Sequence, residues 1–253
     1  MIAVSTANTA AASGAVEIIL DASGSMLQRT GTQRRIDIAK QTLTRLTASV
    51  IPAGTPFALR VFGREIDSCQ TDLEIPVSPL DAGAVGARIA KLESKNGAKT
   101  PIGASLALIA ADLKSVTGER LVVLVTDGEE TCGGDPAAEI EKLEKAGLNV
   151  RVSIVGFALE DEKLAATFRL WASTGGGSFF AANDAAGLNT ALSQAMRPTF
   201  EVVNAQGQVV SEGLAGGEAV RVMPGSYTVR LKGNNGPQQS ATVTANKTTN
   251  VRL

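Results

Sequence analysis

Five oxygen-bearing side chains in this sequence have the types and spacing to hold a hard cation. Asp21, Ser23 and Ser25 alternate within Asp21-Ala-Ser-Gly-Ser25, straight after the apolar run Val16–Leu20. Thr100 lies in Gly97-Ala-Lys-Thr-Pro-Ile-Gly103, and Asp127 heads Asp127-Gly-Glu-Glu130. Two carboxylates and three hydroxyls, completed by water, make an all-oxygen shell. Such a shell suits Mg²⁺ or Ca²⁺ and is poor for zinc. Neutral hydroxyls and few acids leave the ion residual positive charge. An open position could then take an anionic oxygen from outside, such as a partner's Asp or Glu. Each motif also has a plain structural use. Ser23 or Ser25 can bond turn amides. Thr100 before Pro101 can be an N-cap with proline at the first helical position. Asp127-Gly128 can be a simple turn.

Composition removes other chemistries. The chain contains no histidine, so Ser-His, Cys-His and His-metal mechanisms are excluded. Basic residues number 24 and acidic residues 25, with no basic stretch, which argues against a nucleic-acid partner. No apolar run reaches the roughly 18 residues that a membrane-spanning helix needs. The two cysteines, Cys69 and Cys132, are either separate thiols or one disulfide. A bridge would close a loop of about 63 residues and add roughly 4 kcal/mol by the chain-entropy relation.

Apolar runs alternate with helical patterns from residue 16 to about 197. Strands are expected at Val16–Leu20, Phe57–Phe62, Leu121–Thr126 and Val150–Phe157, mostly continuous apolar runs of the kind covered on both faces. A strand near Asp72–Val77 follows too closely for a crossover and should form an antiparallel edge hairpin with Phe57–Phe62. A last strand, Gly177–Ala181, follows a glycine stop. Helices are expected at Arg35–Val50, Ala82–Leu92, Pro101–Leu113, Pro136–Ala146, Asp161–Ser173 and Asp184–Met196. The first carries Ile36, Ala39, Leu43, Leu46 and Val50 on one stripe. The alternation predicts an α/β fold, a doubly wound, mostly parallel sheet with helices on both faces. Ligands of such sheets gather beyond the carboxyl ends of the strands, where strand order reverses. The three oxygen loops belong there.

Residues 1–14 read as a flexible N-terminal lead without the features of a signal peptide, or as the start of a piece of a longer protein. Past Arg197-Pro-Thr199 the helices stop. Residues 198–253 read as a small all-β, sandwich-like module, with turns at Asn204–Gly207, Pro224-Gly225 and Gly233–Gly236. Val220, Val222, Tyr227, Val229 and Leu231 alternate there with Arg221, Thr228 and Arg230.

Asp-x-Ser-Gly-Ser-Met, Lys-Thr-Pro-Ile-Gly and Thr-Asp-Gly-Glu-Glu-Thr-Cys-Gly-Gly-Asp-Pro, in that order, resemble the von Willebrand factor A domain and its metal-ion-dependent adhesion site, in its bacterial branch. The resemblance covers residues 15–197. It implies metal contact through the Ser23, Ser25 and Thr100 hydroxyls, with Asp21 and Asp127 supplying charge directly or through water. The implied cofactor is Mg²⁺, with Ca²⁺ or Mn²⁺ as alternatives. Glu129 and Glu130 are expected on the solvated rim, with charge tuning or a second ion as the other possibility. On this topology Cys69 and Cys132 both reach the rim. A disulfide there would clamp two loops and imply a periplasmic or extracellular location; one buried and one exposed thiol is the alternative. Val222-Met-Pro-Gly-Ser-Tyr-Thr-Val229 resembles small modules of the carboxypeptidase-regulatory or PEGA type, which implies a spacer or interaction surface.

The implied function is non-enzymatic, metal-dependent capture of an acidic group on a protein partner. A metal-stiffened scaffold in a secreted assembly is a second possibility. A metal-dependent hydrolase with Asp21 as nucleophile is a third. The third is disfavoured because Ser23 stands where a second aspartate is wanted.

Overall fold

A computed structural model of the chain describes residues 1–6, 14–232 and 237–253. Along the chain, strand β1 (Ile2–Ser5) precedes β2 (Ala15–Asp21), a 3₁₀ turn at Gly24–Leu27, and the short strands β3 (Arg29–Thr30) and β4 (Gln33–Arg34). Helix α1 (Arg35–Ser49), β5 (Pro56–Phe62), β6 (Thr71–Pro79), α2 (Ala82–Ala90) and α3 (Ile102–Asp112) follow. Then come β7 (Arg120–Thr126), α4 (Pro136–Lys145), β8 (Val150–Phe157), α5 (Glu162–Thr174), β9 (Gly176–Ala182) and α6 (Ala185–Ala195). The chain closes with β10 (Thr199–Val203), β11 (Val209–Leu214), β12 (Gly225–Leu231), β13 (Gln238–Val243) and β14 (Thr249–Arg252).

The described residues of Ser13–Ala195 form one unit. Its six strands run β6-β5-β2-β7-β8-β9. All neighbours are parallel except β5 and β6, which form the expected antiparallel edge hairpin. The reason lies in the sequence: β2, β5, β7 and β8 are nearly all apolar and buried along their length, as strands with helices on both faces must be. Ile102, Leu106 and Ile109 of α3 pack with Ile19, Phe62, Leu124, Ile154 and Phe168 in one cluster. The chain leaves β2 toward β5 and later returns to β7 on β2's other side. The ends of β2 and β7 therefore flank the point where strand order reverses.

Buried polar groups interrupt this core, among them Glu17, Arg60, Ser105 and Ser153. Glu17, in the middle of β2, is fully buried, and neither carboxylate oxygen has a hydrogen-bond partner among the described residues. The nearest cation is Arg60, whose Nε lies 3.8 Å from Glu17 Oε1. Arg60 is itself committed to Asp112, donating from Nε at 2.8 Å and Nη2 at 2.6 Å. Burial, reinforced by the charge of Asp112 and opposed by Arg60, pushes Glu17 up to about 9. At neutral pH it is a neutral acid.

The second unit comprises the described residues of Met1–Ala12 and Met196–Leu253. An antiparallel sheet, ordered β11-β10-β12-β13, shares a core with a two-stranded parallel sheet of β1 and β14. Phe200, Val202, Val229 and Leu231 meet Ile2, Val4 and Val251 there. Ile2–Ser5, expected within a flexible lead, is thus a strand, paired with Thr249–Arg252. Its period-two pattern, Ile2 and Val4 inward with Ala3 and Ser5 between, is the signal a leader-like composition hid. Val220 and Val222, expected in a strand, lie outside one; Val220 makes only a bridge to Ile2. Residues 7–13 of the expected lead and the expected turn at 233–236 lie outside the described residues.

Candidate metal centre

The site begins where β2 ends. Ala22 N–H donates to Phe62 O at 2.9 Å, carrying the chain one step past Asp21 alongside β5. Asp21 is fully buried and held at both oxygens. Its Oδ1 accepts from Ser23 N–H at 2.7 Å, and its Oδ2 accepts from the Thr126 hydroxyl at 2.6 Å. Thr126 is the last residue of β7, so the ends of the two strands are laced together by one side chain.

The loop does not stay extended, as the alternation of Asp21, Ser23 and Ser25 suggests. It winds into the Gly24–Leu27 3₁₀ turn, anchored by the fully buried Met26. Two close approaches of backbone to backbone force this path. A Cβ on Gly63, whose φ is +78°, would lie 2.3 Å from Ser23 N, and one on Gly24 would lie 3.1 Å from Gly97 N. The turn folds Ser25 back onto Ser23, with their hydroxyl oxygens 3.0 Å apart. The Ser25 hydroxyl also lies 2.5 Å from Asp127 Oδ1. Four of the five expected residues are therefore joined in one hydrogen-bonded chain, Asp21–Ser23–Ser25–Asp127.

Thr100 arrives from the third loop by backbone ties. Gly24 N–H donates to Ala98 O at 3.2 Å, fixing the first loop to the segment two residues before Thr100. Thr131 grips Thr100 from the other side: Thr100 N–H donates to the Thr131 hydroxyl at 2.7 Å, and Thr131 N–H donates to Thr100 O at 3.1 Å. Thr100 is not the helix cap that its place before Pro101 suggests. The capping position of α3 is Pro101, and Glu130 does the capping work. One Glu130 oxygen accepts from Gly103 N–H at 2.7 Å and the other from Cys132 N–H at 2.6 Å. Glu130 is thus no solvated rim residue, whereas Glu129 is exposed. The signal for Glu130 was its position three residues past Asp127, facing a helix start whose N–H groups need an acceptor. Thr100 is buried, and among the described residues nothing hydrogen-bonds to its hydroxyl.

Cys69 and Cys132 form a disulfide. It ties the loop after β5 to the segment that holds Thr100.

The electrostatics favour a cation. Burial, and next the charge of Asp127, push Asp21 up to about 7, against the hydrogen bonds from Ser23 and Thr126. Two acids at one sheet end repel each other, and a positive ion between the loops would reverse that repulsion. Asp127 has a fully buried carboxylate, and its Oδ2 accepts from Arg35 Nη1 at 2.8 Å. The sequence held no hint of Arg35, because nothing in its spacing ties the start of α1 to a residue 92 positions on. Among the described residues no three of Cys, Asp and Glu are placed to hold a metal by themselves, so a metal here would rest on hydroxyls as much as on acids. That donor set, with a Thr100 hydroxyl that no described residue hydrogen-bonds, fits a hard cation and no soft one.

Residues 16–194 match the family model of the von Willebrand factor type A domain. The uncharacterized protein YwmD of Bacillus subtilis (strain 168) is 38% identical over 181 residues, covering 67% of this chain and 79% of YwmD. Among solved structures, a von Willebrand factor type A protein from Catenulispora acidiphila is similar with a TM-score of 0.60 at 14% identity, covering 96% of this chain and 67% of that one. Proximal thread matrix protein 1 from the mussel byssus, described with a zinc-occupied MIDAS motif, is similar with a TM-score of 0.59 at 17% identity, covering 75% of this chain and 45% of its own. The α/β unit carries the fold and the matched sequence alike, and the chain belongs to the von Willebrand factor type A domain family.

Proposed function

We propose that the protein is a non-enzymatic binding module that captures a carboxylate of a protein partner through a divalent metal. Asp21, Ser23, Ser25, Thr100 and Asp127 would hold the ion, with Mg²⁺ the natural occupant and Ca²⁺ or Mn²⁺ alternatives. When bound, the ion supplies positive charge at an open coordination position. The chain's residues do the rest. Ser23, Ser25 and Thr100 offer neutral oxygens, while Thr126 and the Ser23 amide hold Asp21 in place. The observation that carries this reading is the hydrogen-bonded oxygen cluster that two loops build at the ends of β2 and β7, with backbone ties drawing the Thr100 loop to both. The zinc-occupied motif of a structurally similar protein supports it. The disulfide supports a periplasmic or extracellular location. No helix among the described residues is long and apolar enough to cross a membrane. The β unit, with its Pro224-Gly225 turn into β12, would serve as a spacer or second contact surface.

The test is a crosslinking pull-down in Mg²⁺ and in EDTA, with Thr100→Ala alongside. Capture should need the metal and vanish in Thr100→Ala, while that variant melts like the parent. Capture unchanged by EDTA would refute metal dependence.

A further inference from the structure

The position of Arg35 sets how much charge the site keeps for its ligand. Its side chain is only 11% exposed, and its guanidinium donates from Nη1 to Asp127 Oδ2 at 2.8 Å. Its Nε is buried with no hydrogen-bond partner. Among the described residues Asp127 is the side chain's sole partner. Burying a cation for a single bond is unfavourable unless its charge is needed there. Asp127, meanwhile, spends its other oxygen on the Ser25 hydroxyl. Asp21 and Asp127 together would cancel the two charges of a divalent ion. Arg35 restores one positive charge to that sum.

Resting on the metal-dependent reading above, we infer that Arg35 tunes the site's specificity: acting through Asp127, it weakens hold on the metal and strengthens the loaded site's attraction for a partner's carboxylate. The expected partner group is then an anion, a Glu or Asp side chain, rather than a neutral hydroxyl or amide. An arginine that merely braced the start of α1 would affect metal and ligand in the same direction. A charge-setting arginine affects them in opposite directions.

The experiment uses the full chain with its disulfide intact and two probes, Mn²⁺ alone and then acetate on the Mn²⁺-loaded protein. Mn²⁺ uptake is read by electron paramagnetic resonance, and acetate binding by paramagnetic broadening of its methyl proton signal. A unit charge about 6 Å from a divalent ion is worth about tenfold at near-aqueous screening. Arg35→Gln should therefore bind Mn²⁺ about tenfold more tightly and acetate several-fold more weakly. Arg35→Lys, which keeps the charge, should stay near the parent in both. Arg35→Gln losing affinity for both probes, or Arg35→Lys behaving like Arg35→Gln, overturns the inference and leaves the metal site standing. A parent chain that takes up no Mn²⁺ at millimolar supply overturns the metal site and this inference with it.

Discussion

Replacing Glu17 with glutamine should stabilise the protein at neutral pH, although glutamate is the residue that sits beside an arginine. The folded chain keeps a proton on Glu17 until about pH 9, whereas the ordinary value, that of an unfolded chain, is 4.5. Between those values the unfolded state releases a proton that the folded state must retain, so stability falls as pH rises. The loss is complete above the folded value and absent below the unfolded one. Each pH unit inside the window is worth about 1.4 kcal/mol, so the parent should lose about 3 kcal/mol between pH 5 and pH 7 from this group alone. Glutamine has nearly the shape of the protonated acid and does not titrate. Glu17→Gln should match the parent near pH 4 and exceed it by about 3 kcal/mol at pH 7. Urea unfolding at several pH values measures this, followed by fluorescence of the single tryptophan, Trp171, which packs 5.3 Å from the ring of Phe168. Asp21, also raised, titrates in both proteins and drops out of the difference. Parallel profiles for variant and parent, or a variant weaker at pH 7, would refute the buried neutral acid. Glu17 would then be ionised and held by Arg60.

Gly63→Ala should cost about 2–4 kcal/mol, because the new methyl would meet Ser23 N at 2.3 Å. Gly31→Ala, also at positive φ but with nothing within 4 Å, should cost about 1 kcal/mol; equal melting of the two variants would show that the close approach is not what Gly63 permits. Replacing Cys69 and Cys132 together by serine should remove roughly 4 kcal/mol from unfolding by urea, the entropy of a 63-residue loop. The same variant should take up Mn²⁺ several-fold less tightly, since Cys132 adjoins the Thr131 grip on Thr100; unchanged Mn²⁺ affinity would limit the bridge to global stability.

The fold was largely legible because its strands are buried on both faces and its helices on one, and these two patterns differ in period. Val150–Phe157 needed no tertiary knowledge to be placed. The oxygen-bearing loops were legible too, since each motif lies where a strand or helix begins or ends. Their support was not. Glu130 reads as a surface acid until the amides of Gly103 and Cys132 are seen to converge on it. Arg35 is one basic residue among neighbours until α1 is docked. The turn at Gly24 depends on Gly97, far along the chain. Such contacts arise from packing of distant segments, and a local pattern carries no trace of them. Ile2–Ser5 failed for a different reason. Four residues are too few for a period to stand out, and the partner strand lies at the far end of the sequence.

That pairing makes the α/β unit an insertion. Strand β1 is separated from the rest of its own sheet system by the whole inserted unit, and Ile2 meets Thr249. During synthesis β1 must wait, unpaired, until the last strand has been made. A random coil of that length would make the closure slow and entropically unfavourable. An inserted unit that folds first converts the long tether into a short one. The β unit should therefore assemble last, and a defect that delays the α/β unit should leave β1 open to solvent and to other chains.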